Sequence, residues 1–160
     1  MSVQTLIRRC STTNDQPILR FGDAGADVEA MQQLLSESTR RFDNNNIYGL
    51  GDAFGSVLES VVQEFQRQVF LTSDGIVGPN TWKALCSDGP VNMPMIEQGS
   101  QSESVRQIQT RLAQAGYYTA VIDADFGPVT YAAVTQFQQD QGLSADGIVG
   151  PLTWNALSRV

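Results

Sequence analysis

The stretch "DGIVGPNTWKAL" from Asp74 to Leu85 returns as "DGIVGPLTWNAL" from Asp146 to Leu157, with ten of twelve positions identical. Self-similarity at this spacing means duplicated small modules, so the chain must solve one folding problem twice. The duplication reaches further upstream. "AFGSVLESVVQEFQ" at Ala53–Gln66 matches "DFGPVTYAAVTQFQ" at Asp125–Gln138 with the same 72-residue offset. Before that the offset becomes 77, pairing "GDAGADVEAMQQLL" at Gly22–Leu35 with "GSQSESVRQIQTRL" at Gly99–Leu112. The first copy therefore carries five extra residues within "SESTRRFDNNNIYGLGD". A length change among asparagines marks a surface loop.

Each copy reads as three helices. Val28, Met31 and Leu35, and in the second copy Val105, Ile108 and Leu112, recur at helical spacing. Val57, Leu58, Val61, Val62, Phe65 and Val69 form a stripe near period 3.6, matched by Val129, Ala133, Val134 and Phe137. A short third helix carries Trp82 and Leu85, or Trp154 and Leu157. No segment alternates strictly enough to argue for a sheet. The expected fold is all-α, two tandem three-helix bundles. The expected organisation is an N-terminal tail at 1–16, a module at 17–86, a linker at 87–94 and a second module at 95–160.

The repeated stretch reads mainly as a folding instruction. Asp74-Gly75 is turn chemistry. Ile76 and Val77 are apolar in a loop and are expected to tuck beneath it. Gly78 ends the loop, and Pro79 opens a helix at the position where a missing N–H costs nothing. Trp82 supplies a large anchor to a small core.

The formal net charge is −7, and both copies are acidic: ten acids to five bases over 17–88, six to three over 94–160. Nucleic-acid binding requires a basic surface to displace counterions, so that class is excluded, and anionic membranes are disfavoured. No apolar run has the roughly 20 residues of a membrane-spanning helix, and the first residues show no signal-peptide core. Histidine is absent, and Cys10 and Cys86 stand far apart. The usual zinc clusters and Cys–His nucleophiles are therefore closed, and neither metal nor cofactor is expected. The two cysteines either pair, closing a long loop, or stay as a tail thiol and a small buried hydrophobe.

The combined pattern Gly99…Val105-x-x-Ile108-x-x-x-Leu112 followed by "GYYTAVIDADFGPVTYAAVTQFQQDQGLSADGIVGPLTWNAL" resembles the peptidoglycan-binding domain family of cell-wall hydrolases and their relatives. The likeness covers 94–158 well and 17–86 less well. It implies small three-helix modules, noncatalytic binding of peptidoglycan, no enzyme activity, and a location at the cell wall, periplasmic or extracellular. Where that family usually shows Asp-Gly-x-Phe-Gly, the second copy has Asp123-Ala124-Asp125-Phe126-Gly127 and the first has Gly51-Asp52-Ala53-Phe54-Gly55. The second copy is therefore expected to carry most of the affinity.

The ligand site is expected near the loop between the first two helices of each copy. Tyr117 and Tyr118 offer flat faces for a sugar ring with hydroxyls at the rim, one of the pair belonging to the core. Arg111 and Gln114, on the polar side of the preceding helix, suit stem-peptide carboxylates and amides. Asp123 and Asp125 complete the turn. They suggest a carboxylate pair for catalysis, but aspartates before a helix more often form caps and turns. In the first copy Asn44, Asn45 and Tyr48 have comparable chemistry. Two rival readings remain: an assembly module that binds proteins after losing glycan binding, and the binding part of a hydrolase whose catalytic domain or subunit lies elsewhere.

Overall fold

A computed structural model describes residue 10, residues 16–39 and residues 51–160. Among these, six α-helices and no strand occur, so the protein is all-α. We number them α1 (Ala26–Thr39), α2 (Ser56–Gln68), α3 (Pro79–Ser87), α4 (Glu103–Gln114), α5 (Pro128–Asp140) and α6 (Pro151–Leu157). The chain divides into two compact units, residues 1–91 and 92–160.

In the first unit α1 packs against both α2 and α3. Val28, Met31 and Leu35 of α1 meet Leu58, Val62 and Phe65 of α2 and Trp82 and Leu85 of α3 in one core. In the second unit α4 plays the same part against α5 and α6. Its buried residues are Val105, Ile108 and Leu112, with Val134, Phe137, Trp154 and Leu157 opposite. Phe54 and Phe126, each just before its unit's second helix, are likewise buried.

The apolar stripe of the second helix begins one residue later than its sequence suggests. Val57 and Val129 lie in the first turns of α2 and α5, on the solvent side, 58% and 56% exposed. The starts of α3, α5 and α6 share one chemistry. Gly78, Gly127 and Gly150 are extended N-caps, each followed by proline in the first turn. Ser102 caps α4 by accepting a hydrogen bond from the Val105 N–H.

Each unit is closed by its entry segment, which crosses over the third helix. Leu19 and Val77 exchange backbone hydrogen bonds at 3.2 and 2.8 Å, as do Ile96 and Val149 at 3.3 and 2.8 Å. The indole N–H of Trp82 donates to the Pro17 carbonyl at 2.8 Å, and that of Trp154 to the Pro94 carbonyl at 2.7 Å. This pairing decides the fate of the neighbouring apolar residues. Val77 points inward and is fully buried, whereas Ile76 is 39% exposed rather than tucked beneath the loop. Cys10 and Cys86 form a disulfide that ties the N-terminal segment to the end of α3 across 76 residues.

Two outcomes follow for stability. Trp82→Ala and Trp154→Ala should each destabilise their own unit by about 3–5 kcal/mol, the cost of emptying a large core site. Calorimetry on the full chain reads this as one transition lowered while the other stays. Reduction of the disulfide, which closes a long loop, should cost the first unit about 2–4 kcal/mol and leave the second unit's transition in place. Equal loss in both transitions would contradict the assignment.

Candidate functional site

Among the described residues three loops share one internal design, and each is organised by a buried glutamine. In the second unit, Gln138 on α5 reaches the loop before α6. Its amide nitrogen lies 3.1 Å from Asp146 Oδ1, 2.9 Å from the Ile148 carbonyl and 3.1 Å from Thr153 Oγ1. Its amide oxygen accepts the Gly147 N–H at 2.9 Å. Gln66 on α2 repeats this with Asp74 Oδ1, the Ile76 carbonyl, Thr81 Oγ1 and the Gly75 N–H at 2.9, 2.9, 3.2 and 3.0 Å. In both loops the aspartate Oδ1 also accepts the N–H two residues on, Ile76 or Ile148, at 2.9 Å. Both glutamines are 1% exposed. A buried amide without partners is costly, and here donor and acceptor ends are both engaged.

The third example lies between α4 and α5. Gln109, fully buried, donates toward Asp123 Oδ1 at 2.8 Å, the Asp125 carbonyl at 3.0 Å and Thr130 Oγ1 at 3.1 Å. Its oxygen accepts the Ala124 N–H at 3.0 Å. The turn residue in each loop has a left-handed backbone: Gly75 at φ +74°, Gly147 at +71°, Ala124 at +65°. Gly147 has a second reason to be glycine, because a Cβ there would meet the Tyr131 ring at 2.1 Å.

This network accounts for several of the residues that the sequence singles out. Tyr118 is the core member of its pair, 5% exposed; its hydroxyl donates to the Val121 carbonyl at 2.7 Å and accepts from Gln109 at 3.2 Å. Asp123 also accepts the Asp125 N–H at 3.0 Å. The Gln109 bond, helped by that backbone N–H, holds the Asp123 carboxyl below its ordinary value of 3.8. Asp125 is exposed, pairs through its backbone with Gln101 and accepts from the Gln101 amide at 3.4 Å. Tyr118, Asp123 and Asp125 thus converge on Gln109.

Tyr117, Arg111 and Gln114 do not join them. Tyr117 is half-buried, meets Phe137 edge-on at 5.3 Å and donates to Asp140 Oδ2 at 3.0 Å. That hydrogen bond, with desolvation and the negative charge of Asp140 adding to it, raises the phenol above its ordinary 10.0. Arg111 donates to the Val160 carbonyl at 3.0 Å, and Gln114 is exposed at the end of α4. Asn44, Asn45 and Tyr48 lie outside the described residues.

The corresponding turn of the first unit is built differently. Gly51 stands where Asp123 aligns and Leu58 where Thr130 does, so a glutamine there has neither partner. Gln32, the counterpart of Gln109, donates instead to the Gly51 carbonyl at 2.9 Å.

Sequence reasoning passed over the glutamines and the open clefts beside two of them. A cleft of about 270 Å³ beside the α5–α6 loop is lined by residues that include Gln138, Asp146, Ile148 and Leu152. Its counterpart of about 250 Å³ beside the α2–α3 loop includes Gln66, Asp74, Ile76 and Asn80. The available signal was an aspartate followed seven residues later by threonine, three times: Asp74–Thr81, Asp123–Thr130 and Asp146–Thr153.

Comparison with known proteins decides the family. The model described as putative peptidoglycan binding domain matches residues 24–85 and 101–157. The chain belongs to that family. Both units carry a match. The chain is 34% identical over 154 residues to the N-acetylmuramoyl-L-alanine amidase CwlM of Mycobacterium tuberculosis, covering 89% of this chain and 38% of that protein. It is 30% identical to the amidase CwlL of Bacillus licheniformis, covering 88% and 45%. Over 66 residues it is 48% identical to the zinc D-Ala-D-Ala carboxypeptidase of Streptomyces albus G, covering 39% of this chain and 25% of that protein. The chain therefore spans less than half the length of each.

Gln109→Leu keeps size but leaves the Ala124 N–H without its acceptor and the Asp123 carboxylate with only the Asp125 N–H. It should destabilise the second unit by about 1–3 kcal/mol, measurable by denaturant unfolding. The pH dependence has a definite sign. A carboxyl lowered on folding contributes stability that is present above its unfolded value and is lost as pH falls through the folded one. Carbon-detected NMR titration should find Asp123 ionising below 3.8, moving back up in Gln109→Leu.

Proposed function

We propose that this chain is a noncatalytic binder of peptidoglycan that works at the bacterial cell wall, periplasmic or extracellular, with both modules engaging the same polymer. The observation that carries this reading is the match of both units to the peptidoglycan-binding family model. Two weak sites on one chain raise avidity without new contacts when both can reach the polymer. The acidic surface suits a ligand that is not polyanionic. Among the described residues no helix is long and apolar enough to cross a membrane.

Within this reading the second module contributes the larger share. It retains Asp123 and Thr130 around Gln109, so its α4–α5 turn is braced where the first module's turn is not. Of the candidate contacts there, Gln114, Asp123 and Asp125 are exposed and Tyr117 is half-buried, while the buried Tyr118 serves to hold the turn. A second reading is favoured by one fact: the amidase relatives are more than twice as long as the part matched here. On that reading the two modules are the binding part of a longer cell-wall hydrolase and deliver its catalytic part to the wall.

Sedimentation with purified insoluble peptidoglycan tests the main reading. The full chain should pellet with the polymer, release neither reducing sugar nor new amino groups, and pellet no more with added zinc. A chain that stays in the supernatant would refute wall binding. Steady product release that Asp123→Asn abolishes would overturn the noncatalytic assignment.

A further inference from the structure

The two clefts beside the α2–α3 and α5–α6 loops are the same site made twice. Gln66, Leu71, Asp74, Ile76, Pro79 and Thr81 of one stand 72 residues before Gln138, Leu143, Asp146, Ile148, Pro151 and Thr153 of the other. We propose that these clefts are a second place, beyond the α4–α5 turn, where each module holds the polymer. The occupant is the alkylammonium side chain of a stem-peptide diamino acid, its methylenes along the apolar wall and its ammonium on Asp146 or Asp74. The proposal rests on the peptidoglycan-binding reading and specifies which part of the polymer is held.

Three observations carry it. First, the polar groups of the cleft floor are already committed to one another. The Gln138 amide is engaged at both ends, and Thr153 accepts from Gln138 while donating toward the Ile148 carbonyl at 3.4 Å. Sugar hydroxyls would find few open partners there, and no aromatic ring lines either cleft to stack on a sugar face. Second, the carboxylates are half used. Asp146 and Asp74 engage Oδ1 with the glutamine amide and the backbone N–H two residues on, and Oδ2 has no protein partner among the described residues. A fixed carboxylate at an open cleft complements a cation. Third, the second cleft keeps large apolar groups at its lip that nothing in the fold requires. Met95 is 72% and Leu152 73% exposed, and both line it. In the first cleft the residue aligned with Leu152 is Asn80. The chemistry left over is apolar walls with one anionic oxygen, which matches a butylammonium chain better than a glycan strand.

The test is an NMR titration of the full chain with the tripeptide L-Ala-γ-D-Glu-L-Lys, alongside the same peptide acetylated on Nε. Amide shifts should cluster at residues 143–153 and 71–81. Acetylation, which removes the charge, should weaken binding by about tenfold. Asp74→Asn/Asp146→Asn should weaken the free-ammonium peptide to a similar extent, because asparagine keeps the Oδ1 acceptor of the loop and replaces the anionic Oδ2 by an amide NH2 that cannot accept. Leu152→Asn, an exposed change to the first module's residue, should weaken the second cleft alone. Equal affinity for the acetylated peptide, unchanged binding by the folded double variant, or shifts confined to residues 114–125 would overturn the proposal. Sedimentation with insoluble peptidoglycan runs in parallel. If the chain pellets but ignores the tripeptide, the alkylammonium assignment falls while wall binding stands. If it does not pellet, the reading beneath the proposal falls with it.

Discussion

Three of the loops among the described residues, including those beside both clefts, hang on a buried glutamine. A bundle of three short helices has little interior, and its loops must be fixed by something other than apolar area. Gln66, Gln109 and Gln138 do this by reaching from the hydrophobic face of a helix into the following loop and satisfying both its outward carbonyl and its inward N–H. The low dielectric around the amide strengthens these bonds and makes their loss expensive. The aspartate and threonine of each loop then have defined positions, and the clefts at two of them have defined walls.

The same loop in three places also explains how the modules differ. At Asp74–Thr81 and Asp146–Thr153 the design is kept almost atom for atom. At Asp123–Thr130 it recurs with alanine in the left-handed position, held by the Gln109 oxygen. At residues 51–58 it has gone, since Gly51 and Leu58 offer no carboxylate and no hydroxyl, and Gln32 settles for a carbonyl. The family match in both units is therefore compatible with unequal loops, and the clefts are the part the two units have in common.

Much of the fold was legible because it depends on spacing. The 72-residue repeat announced two units, the period of Val28, Met31 and Leu35 announced a helix, and Gly78-Pro79 announced where the next begins. Errors came where a face is decided by tertiary pairing. Val57 and Val129 sit at helix starts whose neighbours do not cover them, and Ile76 alternates outward because Val77 pairs with Leu19. The candidate site was less legible. Tyr118 looks like a ligand contact in a string of letters, yet it is buried against Gln109, a residue that on an apolar stripe reads as an interruption, and Asp123 spends one carboxylate oxygen on the same glutamine. The disulfide of Cys10 and Cys86 was open from sequence because spacing alone does not say which thiols meet.

Native-state amide hydrogen exchange on the full chain tests the central role of these glutamines most directly. The N–H groups of Gly75, Ala124 and Gly147 lie in loops, yet each donates to a glutamine side-chain oxygen. The account predicts protection like that of the adjoining helices, lost at Gly147 in Gln138→Leu while the α4 amides stay protected. Free exchange of all three in the unmutated protein would contradict it.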